Sequence, residues 1–275
     1  MRQRSQSEGA GFPLILAGIV AAFLFLATSA GAGENVQDRQ ALREVLREIL
    51  KEEPSLVLDV LRANSEFVLD VAQQGSDLRR QRILLSQWEQ DRKHPKSVRL
   101  ENRPTLGSAG APVTITAFTD FTCVYCREGE QTIKRLLLLY DGKIRVVYKN
   151  MPMKTHPGAV EAAEFMLAAQ LQDIDKSWEL FDTFFANRTK ILSGEGQAFM
   201  RSAAENSGLN LKRLLADAKS AKVQKILAED EEDARKLQFE GTPSFLVNNL
   251  VIRGALQENL FRQAVDMALD DASGK

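Results

Sequence analysis

The sequence predicts an α/β protein: a β-α-β unit in mid-chain, a strand hairpin near the end, and an all-helical stretch between them. Three observations carry this. Val113–Asp120 and Lys143–Tyr148 read as strands on either side of a helix from Cys123 to Leu139, with an Asp141-Gly142 turn before the second strand. From His156 to about Phe239 the apolar spacing is helical, over Ala159–Leu171, Lys176–Phe185, Gln197–Ser207, Leu211–Lys219 and Val223–Leu237. Ser244–Val247 and Leu250–Arg253 then read as strands joined by Asn248-Asn249, a dipeptide suited to the positive φ values of a two-residue hairpin. A last helix covers about Gln257–Leu269, and Asn210 is placed to cap the helix that starts at Leu211.

Upstream, residues 36–92 are helical. Leu42, Val45, Leu46, Ile49 and Leu50 follow the i, i+3, i+4, i+7 spacing of one helix face, opposite Arg43, Glu44, Arg47 and Glu48. Pro54 ends that helix and Ser55 is a candidate cap for a second, carrying Val57, Val60, Leu61, Val68 and Val71. Gly75-Ser76 is the expected break before a third helix, Asp77–Arg92, with Leu78, Ile83, Leu84 and Trp88. Stripes this thin cannot build a core for some 60 residues alone, so they call for the main domain or a second copy of the chain. Residues 96–111, punctuated by Pro104, Gly107 and Gly110, read as a linker.

The N-terminus resembles an export segment. Arg2 and Arg4 precede an apolar stretch densest over Leu14–Ala27, and Ala30-Gly-Ala32 fits signal cleavage after Ala32. Glu8 and Glu34 bracket 25 uncharged residues, enough for an uncleaved membrane anchor instead. Either way residues 33–275 are expected outside the cytoplasm, in the periplasm or an equivalent space. The expected organisation is 1–32 signal or anchor, 33–95 helical leader, 96–111 linker and 112–275 main domain. Thirty-six basic against 37 acidic side chains leave no net basicity for a nucleic-acid partner.

The chain has two cysteines, Cys123 and Cys126, in Cys-Val-Tyr-Cys. So short a loop removes little unfolded-chain entropy, which makes the pair a poor staple. At a helix start, however, unpaired N–H groups and the helix dipole favour an anion. A thiolate there can have its pKa lowered from about 8.5 to roughly 3.5–7.5. The expectation is that Cys123 attacks, Cys126 resolves the mixed disulfide, and no cofactor beyond the Cys123–Cys126 disulfide is required. A zinc site would need two further ligands, and the chain offers His94 and His156 only. Far downstream, Gly241-Thr242-Pro243 opens a strand in which proline cannot join the ladder, a setting in which the cis form is common.

These segments resemble the DsbA branch of thioredoxin-fold proteins. The resemblance rests on Phe118-Thr-Asp-Phe-Thr-Cys-Val-Tyr-Cys126, Val146-Val-Tyr-Lys-Asn-Met-Pro152 with His156-Pro157, the alanine-rich helix from Ala159, and Gly241-Thr-Pro-Ser-Phe-Leu-Val247. It spans about Pro112 to Leu269 and implies a thioredoxin fold with a helical domain inserted at about 155–238. It also implies client docking at Thr242-Pro243. The helices with Glu53-Pro-Ser-Leu-Val and Asn64-Ser-Glu-Phe-Val look like the leaders of ScsC and Com1-like members, which implies a homo-oligomer through residues 36–92. The chain departs from the family pattern at Ala117, where a carboxylate is frequent. Its Val124-Tyr125 dipeptide also departs from the oxidases' Pro-His, which points to a less oxidising disulfide. Asp120 is expected as a proton relay for Cys126 or as a solvated strand-end residue, and Tyr125 as a rim residue. His156 is expected to cap a helix, Lys149 to be solvated, and Trp88 and Trp178 to pack.

The leading expectation is a thiol–disulfide isomerase or reductase acting on exported clients and serviced by a membrane redox partner. A dithiol oxidase is the alternative. A Cu(I)-handling thiol protein is a third reading, since soft thiolates favour that ion.

Overall fold

The computed structural model describes residues 36–274, which fall into two compact units meeting between Ser76 and Asp77. The expected signal or anchor at 1–32 lies outside the described residues, among which no helix is long and apolar enough to cross a membrane.

The first unit holds α1 (Val36–Glu52), α2 (Ser55–Ala63) and the start of α3 (Ser65–Asp91). Pro54, with φ −63°, occupies the cap position of α2, so Ser55 is its first residue and not its cap. The expected break at Gly75-Ser76 does not occur, and α3 runs through it. A mid-helix glycine costs only about 1 kcal/mol against alanine. The break sits instead at Asn64, whose backbone leaves the helical region (φ −117°, ψ 34°) and whose Nδ2 donates to the Val60 carbonyl at 2.8 Å. Along these helices Leu42, Val45, Leu46, Ile49, Leu50, Val57, Val60 and Leu61 are all exposed.

In the second unit β1 (Thr105–Gly107), β2 (Val113–Thr119), β3 (Ile144–Asn150), β4 (Ser244–Val247) and β5 (Leu250–Arg253) form one sheet in the order β1-β3-β2-β4-β5. β2 and β3 run parallel, and the other neighbours pair antiparallel. The parallel pair is linked by the right kind of crossover, α4 (Val124–Leu139). The 96–111 stretch is more than a linker, because β1 pairs there with β3. At the opposite edge, Trp88 Nε1 donates to the Val251 carbonyl at 2.9 Å and the Val251 amide donates to Asp91 Oδ2 at 3.0 Å. The end of α3 thereby occupies backbone groups that an edge strand would leave open. At the hairpin only Asn248 takes positive φ (50°), and its Oδ1 accepts from the Thr114 amide at 2.8 Å.

The insertion comprises α5 (Ala159–Gln172), α6 (Ile174–Ala186), a short α7 (Arg188–Ile191) that the spacing did not suggest, α8 (Gly196–Asn206), α9 (Leu211–Ala218) and α10 (Ala221–Lys236). Asp173, Asn210 and Ser220 cap α6, α9 and α10 by accepting backbone N–H bonds. The chain closes with α11 (Glu258–Ala272). Phe121 packs edge-on against Phe181 and Phe184, at centroid distances of 5.3 and 5.7 Å, and so joins the β2–α4 turn to the insertion. Half-buried Trp178 packs on Tyr148 and Phe181.

Lys149 contradicts its expected solvation: it is fully buried. Its Nζ lies 2.9 Å from Asp230 Oδ1 and 2.8 Å from Asp233 Oδ2, and donates to the Arg99 carbonyl at 2.8 Å. Arg103 adds a second contact to Asp230 at 2.9 Å, and Arg99 reaches Asp233 at 3.1 Å. Apolar neighbours on β3 hid this partner set, which comes from α10, some 80 residues away in sequence.

Candidate functional site

Cys123 occupies the N-cap position of α4 with extended backbone (φ −82°, ψ 127°), and Cys126 lies one turn inside. The two are free thiols, 7% and 2% exposed respectively. The turn before them is held from Asp120: its carbonyl accepts from the Cys123 amide at 3.2 Å, and its own amide donates to Cys126 Sγ at 3.3 Å.

The sheet brings the distant loop to the same place. β4 pairs antiparallel with β2, so Thr242-Pro243, just before β4, lies beside the end of β2 and the turn that follows. The Thr242–Pro243 peptide is cis, and Cys123 Sγ donates to the Thr242 carbonyl at 3.4 Å. Thr242 Oγ1 is buried without a hydrogen-bond partner. Gly129 on α4 permits this approach, since a Cβ there would meet Phe245 Cζ at 3.0 Å and Pro243 Cγ at 3.3 Å. On the outer side of the loop a cleft of about 710 Å³ is lined by Gln238, Glu240, Thr242, Pro243, Ser244 and Arg253. Val124 and Tyr125, between the cysteines, are both exposed.

The two thiols are pushed apart. Cys123 is drawn down from 9.0 to about 5, chiefly by the hydrogen bond from the Cys126 thiol, with the Cys126 and Tyr125 amides adding to it against the cost of burial. Burial, and then the neighbouring Cys123 sulfur, push Cys126 well above its ordinary value. At neutral pH the site therefore holds one thiolate and one protonated thiol, the pairing needed for attack followed by resolution.

Asp120 is not a solvated strand end: it is 2% exposed. Its Oδ1 accepts from the Thr122 amide at 2.7 Å and the Thr122 hydroxyl at 2.6 Å. Its Oδ2 accepts from the Met153 amide at 3.0 Å and lies 2.8 Å from His156 Nδ1. The carboxylate is thus spent on the turn, and Asp120 reaches Cys126 through its backbone amide. His156 does not cap α5; Gly158 stands at that position in left-handed conformation (φ 74°).

The sequence reading missed two residues. Glu130 is a buried carboxyl on α4. Its Oε2 accepts from the Tyr148 hydroxyl at 2.7 Å and its buried Oε1 has no hydrogen-bond partner. Burial raises it from 4.5 to about 7. The signal available was its i+4 spacing from Cys126, which sets both on one helix face. Arg188 on α7 donates to the Thr122 carbonyl at 3.1 Å, across 66 residues, and no local pattern announces that contact. Among the described residues no three His, Cys, Asp or Glu side chains are grouped to hold a metal ion.

A sequence profile described as thioredoxin matches residues 99–267, well over half of the chain. The chain belongs to the thioredoxin family. A thioredoxin-like oxidoreductase from Silicibacter pomeroyi DSS-3 superimposes with a TM-score of 0.55 at 29% identity, covering 62% of this chain and 94% of that one. ScsC from Proteus mirabilis, in a transitional conformation, shares the fold at 18% identity and TM-score 0.53, covering 86% of this chain and 99% of its own. Among sequence relatives, a probable disulfide bond formation protein D from Bacillus cereus is 27% identical over 150 residues, 52% of this chain and 69% of that protein. The Na(+)/H(+) antiporter NhaA 3 of Salinispora tropica is 33% identical over 146 residues, 52% of this chain, and the chain spans 21% of that antiporter's length. This thioredoxin-family member thus spans 69% of the one relative's length and 21% of the other's.

Proposed function

We propose that the chain is a thiol–disulfide oxidoreductase acting on protein cysteines, with Cys123 as the attacking thiolate, Cys126 as the resolving thiol and Thr242-Pro243 as the client-docking loop. The observation that carries this is the opposite displacement of the two thiols at one helix start, beside a backbone carbonyl of the docking loop. In the reducing direction the Cys123 thiolate attacks a client disulfide and forms a mixed disulfide, while the displaced client sulfur leaves as a thiolate and takes a proton. Cys126 then gives up its proton and attacks the Cys123 sulfur. The second client thiolate leaves, the Cys123–Cys126 disulfide forms, and two electrons have passed to the client. Isomerisation uses the first step and a return attack by another client thiolate; oxidation runs both steps backwards.

Among these, isomerase or reductase activity is the leading reading. The exposed apolar faces of α1 and α2 favour a second copy of the chain as partner, and several sites around one client suit reshuffling. A partner at the membrane would keep the pair reduced, and the site would act outside the cytoplasm. Oxidase activity is the second reading, favoured by the low Cys123 value, because a stabilised thiolate makes a more oxidising disulfide. The test is reactivation of a scrambled, misoxidised protein by residues 33–275, with a form starting near Lys96 beside it. Recovery with the longer form alone supports an isomerase built by the leader. Rapid oxidation of a reduced substrate by both, with no reactivation, replaces it by the oxidase. A Cys126→Ser protein that traps no mixed disulfides with clients sinks both.

A further inference from the structure

Asp120 is the hub of the redox turn. Its two backbone groups hold the two cysteines, through the Cys123 amide and Cys126 Sγ, and its carboxylate is fixed by partners of its own. Three of these are backbone or hydroxyl donors from Thr122 and Met153, neutral groups close in the turn or in the loop after β3. The fourth is His156 Nδ1, from the segment leading into α5. An ionised carboxylate can only accept, so Nδ1 carries the proton of this bond. Unlike Asp120, the His156 side chain is 36% exposed, so it links solvent to the buried carboxylate of the residue whose backbone holds the Cys123 amide and Cys126 Sγ. Arg188, on the Thr122 carbonyl, is a cationic side chain that also reaches this turn.

We infer that His156 is a positioning residue of the redox centre: by holding the Asp120 carboxylate it sets the turn that presents Asp120 N–H to Cys126, and so the stability of the Cys123 thiolate. The inference rests on the proposed function. Without the Nδ1 donor the buried carboxylate loses a charge-assisted bond, and the turn that orients both cysteines slackens. That moves the Cys123 thiol back toward the value of a free cysteine and makes the disulfide less oxidising.

The experiment equilibrates the full chain with glutathione buffers and, separately, follows thiolate absorbance against pH. It compares the natural sequence with His156→Phe, which keeps a ring without a donor, and with His156→Asn, whose amide NH₂ can replace the Nδ1 donor. His156→Phe is expected to move the equilibrium toward the disulfide by about tenfold, equivalent to about 30 mV for this two-electron couple, and to raise the thiolate midpoint. His156→Asn is expected to restore both toward the natural values. In an Asp120→Ala background His156→Phe is expected to change neither, because the side chain that His156 holds has been removed. Natural equilibrium and midpoint in His156→Phe overturn the inference, as does an equal shift in the Asp120→Ala background. Should His156→Phe fail to fold by circular dichroism, His156→Ala takes its place with the same criteria. If the natural chain itself does not equilibrate with glutathione, the proposed function fails, and that result is distinct from a failure of the role given to His156.

Discussion

Tyr148 and Lys149 are neighbours on β3, and successive residues of a strand face opposite sides of the sheet. On one side Tyr148 meets Glu130 from α4; on the other Lys149 meets Asp230 and Asp233 from α10. Both sides bury carboxyl groups, and they solve the cost differently. The cation beside Glu130 is half-exposed Lys134, whose Nζ stands 3.9 Å from its Oε1 and does not offset the burial. Burial therefore raises it to about 7, and near neutral pH it keeps much of its proton. Across the sheet the charges stay and are paired. Burial pushes Asp230 upward against Lys149 and Arg103. It pushes Asp233 too, but Lys149, the Arg99 amide and the Arg99 charge together hold that carboxyl below its ordinary value. Desolvation can thus be met by giving up a charge or by surrounding it. The redox turn lies between the two solutions: Asp120 is held mostly by neutral donors and by one partly exposed imidazole.

The largest break in this contrast is Lys149→Met. It removes the cation shared by two buried carboxylates, and the expected loss is about 3–5 kcal/mol in urea unfolding. A loss under about 1 kcal/mol would mean that Arg99 and Arg103 alone satisfy the cluster.

Next in size is the pH dependence set by Glu130. Its folded value lies above its ordinary value of 4.5, so between about 4.5 and 7 the folded chain holds a proton that the unfolded chain has released. Stability from this group is fully present below about 4.5 and falls as pH rises through about 7, by about 3 kcal/mol in all. Glu130→Gln should remove that slope in unfolding measured across this range, and an unchanged slope would assign it to another group.

The smallest expected effect is that of Tyr148→Phe. It deletes the one hydrogen bond to Glu130 for about 1 kcal/mol, and because that bond holds the carboxyl down, the Glu130 midpoint should rise. Carboxyl chemical shifts would read this directly, and a fall would reverse the assignment of the bond.

The centre of the candidate site was legible in the sequence because its parts are local. Cys123, Val124, Tyr125 and Cys126 lie on one turn at a helix start, and Thr242-Pro243 is a compact signal where a strand begins. The supporting shell was not legible. Lys149 looked like an exposed lysine because its partners sit about 80 residues downstream, and His156 looked like a cap because Pro157 and a helix follow it. Gly75 looked like a break because glycine's helix penalty is visible in sequence, whereas the small size of that penalty beside the cooperativity of a long helix is not.

By itself the sequence determined the α/β class, the β-α-β unit with its helical insertion, and the placing of a cysteine pair at a helix start, since periodicity and short motifs are properties of neighbouring residues. Only the tertiary structure decided which buried charges are paired, which carboxyl holds its proton, and that Asp120 turns inward to His156. Those outcomes depend on desolvation and on contacts between distant segments, and neither exists until the chain has folded.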